Sequence, residues 1–219
     1  MLRLAIPGML NIESEFIAWE ILTLISSYLG ATALAAQSAL YCIVCLVYML
    51  SFATSIGSST RLAILVGAGQ IHHVKLAKQV ALCIAVCMGL FNAAILLLFR
   101  KQLPLLFTDD IEVAYMMQRL MPLCAALQVF DTLNTTSNGI LRAAGRPALG
   151  SYVQLVCYYV VGLPLGMSLA FKTGWGLMGI WVGMVVAMVL IGIVMVVVVT
   201  RVGWDEAIEE AKARNEMSS

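Results

Sequence analysis

Three carboxylates, Glu13, Glu15 and Glu20, lie close together in a run that is otherwise apolar and helical in pattern. A charged side chain near the centre of a bilayer costs about 2.5–3.5 kcal/mol on insertion scales, so such groups usually face a bundle interior or a water-filled cavity. Two chemistries suit them there. Withdrawal from water and a neighbouring like charge both favour the protonated form of a carboxyl, which fits it to take up and release protons near neutral pH. The same oxygens suit an organic cation or Na⁺. At about 100° per residue Glu13 and Glu20 fall near one face and Glu15 about 140° from Glu20, so a straight helix does not aim all three at one point. Glu13 is read as hydrated near the cytoplasmic interface, and Glu15 and Glu20 as the functional acids.

Asp131 is a second intramembrane acid, and Asn134, Thr135 and Asn138 continue its i+3, i+4, i+7 stripe. Such a stripe lines a cavity or bonds helices together. No Ser/His/Asp set, metal-ligand cluster or phosphate-binding loop is present, so neither an enzyme nor a cofactor is expected. His72 and His73 sit in a predicted turn. Cys42-x-x-Cys45 has no second half, and all six cysteines lie in apolar stretches where a thiol packs as a hydrophobe. With no nucleotide site, any transport is secondary rather than ATP-driven.

The elements that carry these residues are membrane helices. With 62% hydrophobic and 11% charged residues among 219, the chain lies far from soluble averages of about 45–50% apolar and about 25% charged. The net charge of +1, without aromatics interleaved among basic residues, excludes nucleic acid as a partner. Apolar runs between turn signals predict six spans, at about 4–29, 34–56, 80–99, 111–141, 152–171 and 177–200, followed by a charged cytoplasmic tail over 201–219. Asp109 is the predicted N-cap of the fourth, with Glu112 reaching back, and Pro122 a predicted kink. In the sixth, Gly179-x-x-x-Gly183 suits close helix packing within the bundle. The fold expected is an all-α, six-helix membrane bundle.

Six spans put Arg3, Arg61, Lys75, Lys78, Arg142, Arg146, Arg201, Lys212 and Arg214 on one side, against Arg100, Lys101 and Lys172 on the other. The positive-inside rule then places both termini in the cytoplasm. The opening residues lack the pattern of a signal peptide, and the chain enters a span almost directly, which suggests a piece of a longer protein.

Ala5-Ile-Pro-Gly-Met-Leu followed by Glu15-Phe-Ile-Ala-Trp-Glu20 resembles the seventh helix of eukaryotic members of the multidrug and toxic compound extrusion (MATE) family. The resemblance continues through Ala35-Ala-Gln-Ser38, Val47-Tyr-Met49, Arg61 with Gly67-Ala-Gly69, Phe130-Asp131, Asn138 to Arg142 with Gly145, and Tyr158 to Gly166. It covers the second of that family's two six-helix lobes. The resemblance implies one lobe of a 6+6 antiporter that exports organic cations or drugs in exchange for H⁺ or Na⁺, from a plasma or vacuolar membrane. It implies that Glu15 and Glu20 handle cation and proton, that Asp131 contributes to the cavity, and, more weakly, that Gln37, Tyr48, Asn134 and Thr135 line it. The partners implied are the lipid bilayer, a small organic cation, the coupling ion and an N-terminal six-helix lobe. Phe16-Ile17 stands where the family has a Trp pair, and Cys42 where animal members carry a further Glu, which changes the cation pocket. Two rival readings are an inactive half-transporter acting as an interaction subunit, and a lipid-linked oligosaccharide flippase of related fold. A flippase would favour a basic cavity.

Overall fold

The computed structural model describes residues 2–204, with side chains at position 13 and from position 15 onward. The predicted tail beyond them lies outside the described residues. The described chain is all helix and turn: α1 Leu2–Ser27, α2 Ala31–Gly67, α3 Ile71–Leu98, a short α4 Gln102–Phe107, α5 Ile111–Ala143, α6 Pro147–Lys172 and α7 Leu177–Arg201. Five of these, α2, α3, α5, α6 and α7, are long and apolar enough to cross a membrane. α1 has 26 residues, a length that also suffices at about 1.5 Å per residue.

The helices overrun the apolar runs that predict them. α2 passes through the Ser/Thr/Gly-rich segment after Ser51 and ends at Gly67, and α3 already begins at Ile71. The polar segment stays helical because its hydroxyls bond to carbonyls within the preceding turn: Thr54 to Ser51 at 2.8 Å and Ser59 to Ile56 at 3.0 Å. Gly30, at φ 107°, makes the tight α1–α2 turn in a conformation that only glycine adopts readily. The cap of α5 is Asp110 rather than Asp109. Asp110 Oδ1 accepts from the backbone N–H groups of Glu112 at 2.8 Å and Val113 at 3.5 Å. This shift makes Glu112 the second helical residue, one short of the position from which a capping box reaches back. α5 runs on unbroken through Pro122.

The bundle is built around α5, which packs against α2, α3 and α7. Its interior is unusually polar. Asn92 of α3 donates to Ser51 Oγ at 3.0 Å, Ser51 shares a 2.7 Å hydroxyl bond with Thr132, and Thr132 donates to Gln128 O at 2.8 Å. Gln128 in turn donates to Val44 O at 3.2 Å, and Ser55 to Thr135 O at 2.7 Å. These side chains are fully buried, whereas Leu46, Ile64, Leu90, Leu98, Val160 and many other apolar residues are exposed. That inversion suits a lipid surround, in which polar groups must find partners inside the protein.

α6 and α7 meet backbone to backbone. α6 turns π-helical over Val156–Gly162 and again over Ser168–Lys172, and the glycines of α7 close on it. A Cβ added at Gly183 would lie 2.5 Å from Gly166 Cα and 2.7 Å from Gly162 O. Gly179 and Gly183 therefore serve packing within this bundle. Gly183→Ala is expected to cost about 1–3 kcal/mol by overpacking, read as a lower thermal midpoint in detergent. Gly57→Ala, which meets nothing within 4 Å, should not lower it.

Candidate functional site

The site is a cavity of about 100 Å³ between α1, α2 and α5, touched by Met188 of α7. Each helix supplies a stripe. α1 brings Glu15, Phe16 and Trp19. α2 brings Tyr41, Val44, Cys45, Tyr48, Met49 and Phe52, near the i, i+4, i+7, i+11 spacing of one face. α5 brings Asp131, Thr135, Asn138 and Arg142 at the same spacing, so a polar line runs from a buried acid toward the end of the helix.

Aromatic rings form much of the wall. Trp19 packs at 5.4 Å from Tyr41 and 5.6 Å from Trp181, and Tyr48 stacks on Phe52 at 5.9 Å. Ring faces attract cations by their quadrupole, most strongly where water is excluded. Asp131 is 2% exposed and its Oδ1 has no hydrogen-bond partner. A buried carboxylate oxygen in that state costs free energy unless a proton or a cation joins it. Glu15, half-buried on the facing helix, accepts from Gln154 Nε2 at 3.4 Å. Two acids and several aromatic faces thus converge on one cavity with the chemistry to pair a positive charge or to hold a proton.

The sequence-predicted residues divide. Glu15, Tyr48, Asp131 and Thr135 line the cavity together. Glu20 is exposed on α1 outside it, as the angle between positions 15 and 20 requires, and Glu13 is exposed as well. Gln37 is fully buried in the core, where its Oε1 accepts from Trp181 Nε1 at 2.8 Å. Asn134 is buried and accepts from Asn138 Nδ2 at 2.9 Å. Counting from Asp131 at about 100° per residue, Asn134 falls about 60° to one side of the stripe, while Thr135, Asn138 and Arg142 stay within about 40° of it. Sequence reasoning missed Tyr41, Cys45 and Phe52 as lining residues. Their common spacing with Tyr48 was the available signal.

Known proteins sharpen the picture. The MatE family model matches residues 7–168. The chain belongs to the MatE family. Relatives include an uncharacterized transporter of Schizosaccharomyces pombe, 36% identical over 209 residues, or 95% of this chain and 39% of its own length. Multidrug and toxin extrusion protein 1 of Homo sapiens is 33% identical over 211 residues, covering 96% of this chain and 37% of its own. This chain thus spans well under half the length of the curated relatives it matches. The crystal structure of the eukaryotic MATE transporter AtDTX14 superposes with a TM-score of 0.93 at 27% identity, over 97% of this chain and 48% of that one. A MOP superfamily transporter from Pyrococcus furiosus shares the fold, with a TM-score of 0.82 at 18% identity over 89% of this chain and 43% of its own. The family membership agrees with the resemblance read from the α1 motif, and the chain is an all-α membrane bundle of MATE fold.

Gln37 acts through Trp181 rather than through the cavity. Gln37→Leu leaves the indole N–H without its acceptor, and loss of about 1–3 kcal/mol follows. The check is a lower thermal midpoint together with unchanged affinity for an organic cation.

Proposed function

We propose that this chain forms the C-terminal six-helix lobe of a secondary antiporter that exports organic cations or drugs in exchange for H⁺ or Na⁺. The observation that carries the reading is the convergence of Glu15 and Asp131, from two different helices, on one aromatic-walled cavity. The printed name of the human relative, a multidrug and toxin extrusion protein, supports the substrate class.

In this mechanism the two acids alternate between a protonated and a cation-paired state. The aromatic faces of Trp19, Tyr41 and Tyr48 hold an organic cation by charge–quadrupole attraction and apolar contact. Because two carboxylates that share one cavity withdrawn from water resist simultaneous ionisation, arrival of the cation releases a proton, and protonation on the opposite side expels the cation. Tyr48 and Thr135 line the same cavity as the acids and offer hydroxyl groups able to hydrogen-bond a carboxylate. Glu20, on the exposed face of α1, faces the second lobe, a six-helix partner that completes the cavity and against which this lobe rocks. Both ends of the chain lie on the cytoplasmic side of a plasma or vacuolar membrane. The work is transport rather than catalysis, and no cofactor takes part.

An oligosaccharide flippase fits less well. Its anionic cargo needs buried cations, whereas the basic residue lining this cavity, Arg142, is exposed and the acids are deeper. An inactive interaction subunit has no use for a buried carboxylate with an unpaired oxygen.

The test is pH-gradient-driven efflux of tetraethylammonium from proteoliposomes containing the full-length protein. Glu15→Gln and Asp131→Asn are each expected to lower the exchange rate by about two orders of magnitude, as loss of a group that acts in the transported state does. Glu20→Gln is expected to lower it about tenfold or less. Wild-type exchange in both of the first two variants refutes the reading.

A further inference from the structure

Gln154 lies outside the cavity lining, on α6, and is fully buried. Its Nε2 donates to Glu15 Oε2 at 3.4 Å, joining α6 to α1 across 139 residues of chain. Its own Oε1 has no partner. α1 makes its most extensive contact with the Pro147–Leu155 segment that carries Gln154. Directly after that segment α6 turns π-helical, and π-turns inside α-helices frequently occur at functional sites.

A primary amide carries two donors and an acceptor on a single flat group that stays neutral near pH 7. Facing an ionised Glu15, it donates. Facing a protonated Glu15, the same group turned over presents Oε1 to the carboxyl O–H. Gln154 is thereby matched to both states of an acid that alternates, without adding a charge to the site. A lysine there would neutralise Glu15, and a serine would not span the distance. Around Glu15 the other polar groups belong to different elements: Tyr41, Cys45 and Tyr48 on α2, Asp131 and Arg142 on α5, and Tyr158 on α6, whose hydroxyl is bonded to Met188 Sδ at 3.5 Å.

We propose that Gln154 is the positioning residue for Glu15: it holds the carboxylate toward the cavity by a hydrogen bond from α6, so that the acid meets its cation in one orientation. This rests on Glu15 being a cation-pairing acid, as proposed above, and adds the residue through which α6 controls it.

A double-mutant cycle separates this role from ordinary packing. The measurement is tetraphenylphosphonium binding to the full-length protein in detergent, by equilibrium dialysis at fixed pH. Gln154→Leu, of similar size but without the amide, is expected to weaken binding about tenfold, the scale of one hydrogen bond to a charged group. Gln154→Asn, which keeps the amide but is one methylene short, is expected to weaken it similarly, and it serves if the Leu variant does not fold. In a Glu15→Gln background either change should alter affinity less than twofold. Equal loss in both backgrounds, or no loss in the Glu15 protein, overturns the positioning role while leaving Glu15 as a binding acid. If Glu15→Gln alone leaves affinity unchanged, both this inference and the reading of Glu15 as the cation's partner fail.

Discussion

Lipid offers no hydrogen-bond partners, and most of this fold follows from that constraint. Each helix settles its own backbone, but the side chains of Ser51, Asn92, Gln128 and Thr132 must find partners inside the bundle, the first two and Thr132 with one another and Gln128 on the Val44 carbonyl. They do so on the surfaces where α2 and α3 meet α5. That demand makes α5 the central helix although it is the most polar of the long ones. The same constraint explains why leucines and isoleucines are exposed while amides are buried, and why the acids lie on the inner faces of two helices. A carboxylate placed outward would meet hydrocarbon; placed inward, it meets rings, hydroxyls and another carboxylate.

Within that frame the cavity is a by-product of unequal packing. α6 and α7 approach backbone to backbone where Gly166, Gly179 and Gly183 leave no intervening side chain. α1, α2 and α5 instead carry Trp, Tyr and Phe at their mutual contact, and such rings leave gaps that smaller side chains close. One side of the bundle is thus welded and the other is porous. The cavity-lining residues lie on the porous side, tied to the welded side through Gln154 and through Trp181, which bridges the core to Gln37 and Trp19.

Much of this was legible in the sequence, because hydropathy and helical period act over many residues and average out local error. The all-helical bundle, the polar character of α5 and the unusual status of Glu15 and Asp131 follow from residue type and spacing alone. What the sequence hid was azimuth. A one-dimensional stripe does not say which of Asn134 and Thr135 turns toward the gap, since an angle of a few tens of degrees decides it. Nor does it say that Gln37 is spoken for by an indole 144 residues away. The cap of α5 was misplaced by one position because two adjacent aspartates, 109 and 110, offer the same chemistry and only backbone geometry distinguishes them. The Gln154–Glu15 bond was invisible for the same reason as the Gln37 bond: tertiary partners of a neutral amide leave no periodic trace.

The outward face of α1 carries Ile17, about half exposed, and with it Glu20. Apolar residues there accept lipid or protein equally, but a carboxylate accepts only one of the two. Left beside hydrocarbon, Glu20 adds a penalty of a few kcal/mol to an otherwise apolar stretch of helix. In the language of biogenesis, a carboxylate on the outer surface of a membrane helix favours a neighbour that can neutralise or hydrate it over bare lipid.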